Sequence, residues 1–422
     1  MDYFNNQVGW KHLVRNLVGI TIIGSMIWSI GCSTLGKSVK HEQPAGKQTA
    51  AMKIVVHESK TSTLPMDSSK EVRAIWLHGR YIDEEGVDKV VDRLTEYRIN
   101  TVILLVKGIG GSVDFQSATA RVLKPEKDTL RDFITACHKR RMEVHAWLMY
   151  HGDTQWVTNH PEEGMYKAGD STNWNAGPVP VNKEKVCPLA PGYHEYFLGL
   201  IGDLIDNYDI DGIHLDGIRY GHMLYCFCPR HQQKAKELGI DLDHIRALAY
   251  KMLYVQKSTK GAYINAYKKG DKDVVKWVQQ RQDEITSVTK EVKELIQKKK
   301  PNLKLSAALM PEGGEADDTF ALCHYGQNYR ELGKYLDFIC PMSYQGGFGK
   351  KTDWVVAIAK RVEAETGKPV YVGVQGFGLT KTFTVAEFTE TLKAVKKDRL
   401  HGFTIFRYGT LNAEMEKAVK EN

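Results

Sequence analysis

Eight short apolar runs alternate with amphipathic stretches from residue 71 onward, and polar and aromatic residues gather where each run ends. No glycine-rich phosphate fingerprint follows the first run. These observations predict an α/β protein of the (β/α)8 barrel class, a parallel sheet closed on itself with helices outside. An open doubly wound sheet is the competing arrangement, and the number and order of the units favour closure.

The first strand is expected at 72–77, Val-Arg-Ala-Ile-Trp-Leu, followed by a helix over 86–97 in which Val87, Val90, Val91 and Leu94 keep helical spacing. Residues 101–106 give the second strand, 130–141 a helix and 143–149 the third strand. The stretch 151–191, rich in Gly, Asn, Pro and Trp, is too long for a plain connection and reads as a binding loop in which Trp156 and Trp174 could stack on a ligand. A helix at 193–208 and the fourth strand at 210–215 come next, and then a charged, mostly helical insertion after strand four, about 232–300. The series closes with a strand at 303–310, a helix at 325–336, a strand at 338–342, a helix at 352–365, a strand at 370–374, a helix at 385–396 and a strand at 403–406.

Upstream of this domain, Lys11 and Arg15 precede an apolar run at 17–30, short for a membrane span, that ends in Ser29-Ile30-Gly31-Cys32. That is the layout of an export signal. Small residues before a cysteine resemble a lipobox, so residues 1–32 read as a lipoprotein-type signal with Cys32 as the lipidated residue. A plain secretory signal and a short anchor are the alternatives, and all three export the chain. Ser33 resembles an outer-membrane retention signal, so the expected location is the cell envelope, facing the periplasm or the cell surface. Residues 33–70, rich in Ser, Thr, Lys, Gln and Pro, read as a flexible tether, and 71–422 as the folded domain.

A chain of 422 residues with 42% hydrophobic content can bury a substantial core. Its formal charge of +7 is modest and dispersed apart from Lys298-Lys299-Lys300, so nucleic acid is not an expected partner. The chain lacks a P-loop, a nucleophile elbow and an H-E-x-x-H motif, which argues against nucleotide, esterase and metalloprotease chemistry.

In a barrel of this class the chemistry sits just past the strand ends. Those positions carry His78 after the first strand, His151 and Asp153 after the third, His214, Asp216, Arg219 and Tyr220 around the fourth, and Glu312 after the fifth. Tyr344 and Gln345 follow the sixth strand, Gln375 the seventh and Arg407 the eighth. Such a mixture suits sugars, whose hydroxyls take paired hydrogen bonds and whose ring faces stack on aromatics. Glycoside hydrolysis needs two carboxyls, one a proton donor and the other a nucleophile or base. Asp216 and Glu312 are the expected pair, with Asp153, Glu315, Asp317 and Asp318 as rivals for the second role. An aspartate at a strand end can equally cap the next segment.

This chemistry requires no cofactor. The C-x-C-x-x-H motif of Cys226, Cys228 and His231 offers ligands to a structural zinc completed from elsewhere, by Cys187 or by Cys323-His324. A disulfide from Cys226 or Cys228 to Cys187 or Cys323 is the alternative in an exported chain.

The segments "EVRAIWL" from Glu71, "RINTVILLVKG" from Arg98, "EVHAWLMYH" from Glu143, "LAPGYHEYFLGLIGDLIDNYDIDGIHLDGIRY" from Leu189, "WVQQRQDEIT" from Trp277, "KLSAALMP" from Lys304 and "YLDFICPMSYQ" from Tyr335 follow in an order that resembles the bacterial glycosyl-hydrolase-like family ten. The resemblance implies a barrel glycosidase domain acting on a peptidoglycan glycan strand or another polysaccharide, held at the membrane by the lipid anchor. It places Asp216 on the family's strand-four aspartate and Arg281 on a family arginine that could reach the site. The family carries a second acidic residue directly after that aspartate, where this chain has Gly217. A barrel that binds glycans without cleaving them is therefore the alternative, and a zinc-assisted hydrolase built on the C-x-C-x-x-H motif is a third.

Overall fold

The computed structural model describes residues 71–422 except 171, 182, 183 and 259. The expected signal, Cys32 and the tether lie outside the described residues. Eight parallel strands form the central sheet: β1 (Val72–His78), β2 (Thr101–Lys107), β3 (Glu143–Met149), β4 (Gly212–Asp216), β5 (Lys304–Leu309), β6 (Phe338–Pro341), β7 (Tyr371–Gln375) and β8 (Gly402–Phe406). Their order is β6-β5-β4-β3-β2-β1-β8-β7. A parallel bridge from Ile339 of β6 to Val370, just ahead of β7, brings the two edges together. The result is the (β/α)8 barrel that the alternation of runs predicts.

Both faces of each strand are covered, which is why the runs are almost continuously apolar rather than alternating. Outward residues such as Ile75, Leu104, Leu148, Leu215 and Ile405 pack under the helices in the main core. Inward residues, among them Trp76, Ile103, Trp147, Ala308, Phe338 and Cys340, fill the barrel itself. Burying one ring such as Trp76 removes roughly 150–250 Å² from water, an upper bound of about 4–6 kcal/mol.

Local signals place the helices. Asp128 accepts from the Arg131 N–H at the start of Thr129–Lys139, and Thr384 and Glu387 form a reciprocal capping box at the start of Val385–Lys397. The helix expected at 325–336 is divided into Thr319–Tyr325 and Tyr329–Gly333. Gly326 between them has φ +68°, a left-handed conformation that ends the first helix.

The insertion is shorter than its charge pattern suggests. Helices Pro229–Glu237, Leu242–Tyr250 and Ala262–Lys268 build a separate small core with Phe227, Ile245, Met252 and Tyr263. The helix that follows, Lys272–Lys299, does double service. Val274, Trp277 and Val278 at its start join that small core, whereas Ile285, Val288, Val292 and Ile296 line the barrel's main core. Its second half is thus the crossover between β4 and β5, while its first turns belong to the inserted core. Among the described residues no helix is long and apolar enough to cross a membrane.

Candidate active site

Asp216 is the last residue of β4 and sits inside the barrel mouth, 7% exposed. Its Oδ1 accepts from the N–H of Gly217 at 2.5 Å and from Arg219 Nη1 at 3.2 Å. It caps no helix, because the next helix begins only at Pro229. Glu312 stands in the short 3₁₀ turn Pro311–Gly314 directly after β5. One of its carboxyl oxygens accepts from the Tyr325 hydroxyl at 3.2 Å, while Oε2 is buried without a hydrogen-bond partner. Burial raises the Glu312 pKa above its usual 4.5, and the charge of Arg219 only partly offsets this.

Arg219 is paired with Asp216, and its charge also acts on Glu312. His151 closes another side. Its Nε2 lies 2.9 Å from Lys185 Nζ, and burial together with the charges of Lys185 and Arg219 holds it well below its usual 6.5, hence neutral. Lys185 itself is pushed down to about 8 by burial and by Arg219. Lys185 and Tyr325 were not expected here. Each lies in a loop or helix end remote in sequence from the strand it faces, so strand-end spacing gave no signal for them.

An aromatic floor lies across the mouth. Tyr344 meets Phe406 at 5.4 Å between ring centroids, Phe377 at 5.8 Å and Trp76 at 6.4 Å. Beside it, Arg407 Nη1 is 3.0 Å from His78 Nδ1, and His78 packs edge-on against Trp147. Burial, with Arg407 nearby, pushes His78 down to about 3, so this imidazole is neutral and accepts from the guanidinium. His78, His151, Arg219, Tyr344 and Arg407 are thus gathered with the two carboxyls at one end of the barrel.

The remaining expected ligands are engaged elsewhere, and burial is the reason. Asp153 is fully buried; its Oδ1 accepts from Trp156 N at 2.8 Å as a helix cap, and its Oδ2 pairs with buried Lys107 at 3.1 Å. Lys107 Nζ also donates to the carbonyls of Met149 and Gly152 and to Tyr193 Oη, each at 2.9 Å, which locks the ends of β2 and β3 together. His214 lies one layer below Asp216, fully buried between Ser306 Oγ at 2.9 Å and the Trp76 indole N–H at 3.2 Å. Gln345 spans Thr352 and Thr391, joining two outer helices, and Gln375 bonds Gly347 N and the Phe377 carbonyl. Arg281 is wholly buried and donates to the carbonyls of Cys323, His222 and His324, so it clasps loops rather than a sugar. Tyr220 is buried against His231 and Glu284. Trp156, expected to stack on a ligand, stacks on Tyr196 and donates to Glu163, and Trp174 packs on Tyr250 and Tyr254 of the insertion.

Gly217 has φ +68°, and a Cβ built there would lie 2.3 Å from His151 Nδ1. The space in which the family's second acidic side chain would begin is taken by His151.

Cys187, Cys226, Cys228 and His231 form a second cluster, all buried, with one ligand atom from each within 4.8 Å of the others. No two of the six described cysteines are bonded to each other. Cys187 supplies the fourth member left open by the motif; Cys323 lies apart, in the small core of the insertion.

Residues 71–388 match the family model described as Glycosyl hydrolase-like 10. No curated protein matches the chain. Among solved structures, the PgaB (BpsB) glycoside hydrolase domain from Bordetella bronchiseptica aligns at 13% identity and a TM-score of 0.61, covering 80% of this chain and 94% of that one. Alpha-L-fucosidase isoenzyme 2 from Paenibacillus thiaminolyticus aligns at 16% identity and 0.56, covering 83% and 48%. A beta-galactosidase from Bacillus circulans sp. alkalophilus aligns at 11% identity and 0.58, covering 83% and 55%. The chain spans about half the length of these last two proteins. At such identities the likeness is one of fold.

Proposed function

The chain belongs to the glycosyl hydrolase-like 10 family, and from that premise we propose that its barrel hydrolyses a glycan, with Glu312 as proton donor and Asp216 as nucleophile or general base. One observation carries the reading: two carboxyls at the ends of neighbouring strands stand in unlike surroundings, Asp216 ion-paired with Arg219 and Glu312 raised by burial. Unlike surroundings divide acid from base in carboxylate pairs of this kind. Glu312 would protonate the departing glycosidic oxygen while Asp216, oriented by Arg219 and the Gly217 amide, attacks the anomeric carbon or activates water. Arg407, His78, His151 and Lys185 would bind hydroxyls, and Tyr344 with Phe377 and Phe406 would meet the sugar faces.

The substrate we propose is a cell-wall glycan, peptidoglycan strands first, reached by an exported protein whose Cys32 carries lipid. Labelling with a fatty-acid analogue tests the anchor, and Cys32→Ser should abolish the label; an unchanged label would discard it. Product analysis on peptide-free peptidoglycan and a polysaccharide panel tests the activity. Asp216→Asn should end cleavage and keep binding. Gly217, standing where the family has an acid, favours the rival reading of a glycan-binding barrel, and binding without cleavage by the unmodified protein would establish that rival.

A further inference from the structure

The distances within the buried cysteine–histidine cluster are those of ligands around a common centre. Cys187 Sγ lies 3.5 Å from Cys228 Sγ and 3.5 Å from His231 Nδ1, and Cys228 Sγ lies 3.3 Å from the same nitrogen. A disulfide would bring two sulfurs to about 2.05 Å. Zinc bonds of about 2.3 Å to sulfur and about 2.0–2.1 Å to nitrogen, arranged tetrahedrally, set ligand separations of about 3.5–3.8 Å. We propose that Cys187, Cys226, Cys228 and His231 bind one zinc(II) ion in a closed structural site.

The surroundings of the ligands fit a metal. His231 turns Nδ1 toward the sulfurs and places Nε2 2.9 Å from Glu284 Oε2 and 2.8 Å from the Tyr220 hydroxyl. A carboxylate on the far nitrogen is the usual means of fixing the tautomer and raising the basicity of a metal-bound imidazole. The Tyr166 amide lies 3.3 Å from Cys226 Sγ, the arrangement that stabilises a thiolate. The thiol protons pass to solvent as the ion binds.

Four protein ligands complete zinc's tetrahedron, and all four are buried. No position is left for water or a sugar, so the site is a clasp and not a reaction centre. Its place in the chain gives the clasp a purpose. Cys187 ends the long loop after β3 that carries His151 and Lys185, while Cys226, Cys228 and His231 follow β4 and its Asp216 and Arg219. Glu284 adds the crossover helix Lys272–Lys299. The ion would thus hold the His151–Lys185 side of the mouth against the Asp216–Arg219 side.

The test uses the full chain purified in detergent. Mass spectrometry of the metal should find one zinc per chain, released by a thiol-modifying mercurial as measured with a zinc dye. Cobalt replacing the zinc should give the visible bands of a tetrahedral thiolate complex. Cys228→Ser should lose the zinc, whereas Cys137→Ser, a buried thiol outside the cluster, should keep it. If Cys228→Ser does not fold, the release and cobalt measurements on the unmodified protein decide alone. Stripping the metal should lower the melting temperature. Metal-free protein with a disulfide at Cys187, or with free thiols and an unchanged melting temperature on zinc addition, would overturn the proposal. Loss of turnover on stripping with no change in melting temperature would overturn the structural role. Stoichiometry, spectrum and melting temperature are read without turnover, so they stand or fall separately from the proposed hydrolysis.

Discussion

Replacing Glu312 by glutamine removes one proton from the chemistry and little else, since the amide keeps the shape and can still accept from Tyr325. General acid assistance is worth roughly 10²–10⁴-fold in rate, about 2.7–5.4 kcal/mol of barrier. Glu312→Gln should therefore lower kcat/KM by that factor on a natural glycan, whose leaving group is a sugar hydroxyl. On an aryl glycoside, whose phenolate leaves without a proton, the loss should be far smaller. The pH profile offers a second readout. In the folded protein burial raises the Glu312 pKa above 4.5, so the acid stays protonated past the usual carboxyl range and the rate falls as pH rises through the raised value. That alkaline limb should vanish in Glu312→Gln. Stability falls over the same window. Between 4.5 and the raised pKa the folded state binds the proton that the unfolded state has lost, so stability falls with rising pH across that window. Above it the cost of the buried charge is fully present, and Glu312→Gln should melt higher than the unmodified protein at neutral pH, the gap closing below 4.5. Equal losses on sugar and aryl leaving groups, with the alkaline limb intact, would refute the assignment of Glu312 as the acid.

Other perturbations separate scaffold from site. Lys107→Met strands the fully buried Asp153 carboxylate, which should cost about 3–5 kcal/mol. At about 2.1 cal/mol/K per residue across residues 71–422, this is a fall of about 4–7 °C in melting temperature. Pairing it with Asp153→Asn should recover much of the loss, and strictly additive single changes in calorimetry would show that the pair is not coupled. Gly217→Ala places a methyl against His151 and a side chain at φ +68°, the latter alone costing about 1–2 kcal/mol. Turnover should fall with it, and a variant as stable and active as the parent would contradict the packing of His151 on Gly217. Arg219→Lys keeps the charge but not the planar guanidinium from which Asp216 accepts, so kcat should drop with modest change in KM, read by steady-state kinetics on the cleaved glycan.

The strands and most of their partner helices were legible because a parallel barrel buries both faces of every strand. Residues 101–106 or 143–149 then read as short apolar blocks whatever surrounds them. The placing of Asp216 and Glu312 at strand ends was legible as well, since strand ends in such a barrel open to one rim and polar residues there break the apolar pattern. The sequence could not say which polar strand-end residues face the mouth. Asp153, Tyr220 and Gln345 share the rim positions of His151, Arg219 and Tyr344, yet their side chains satisfy buried partners contributed by distant segments. Lys185 reaches the site from a loop and Tyr325 from the last residue of a short helix, and neither position carries a periodicity that reveals its direction. The cysteine cluster divides the same way. Cys226, Cys228 and His231 are joined by local spacing alone, whereas the choice of Cys187 over Cys323 as fourth member follows from the loop after β3 folding back on the loop after β4, a contact between segments about 40 residues apart. Sequence by itself determined the elements and the residue types offered at their ends; tertiary packing decided which of those groups meet, because burial demands that every polar side chain inside find a partner, and the partners lie far along the chain.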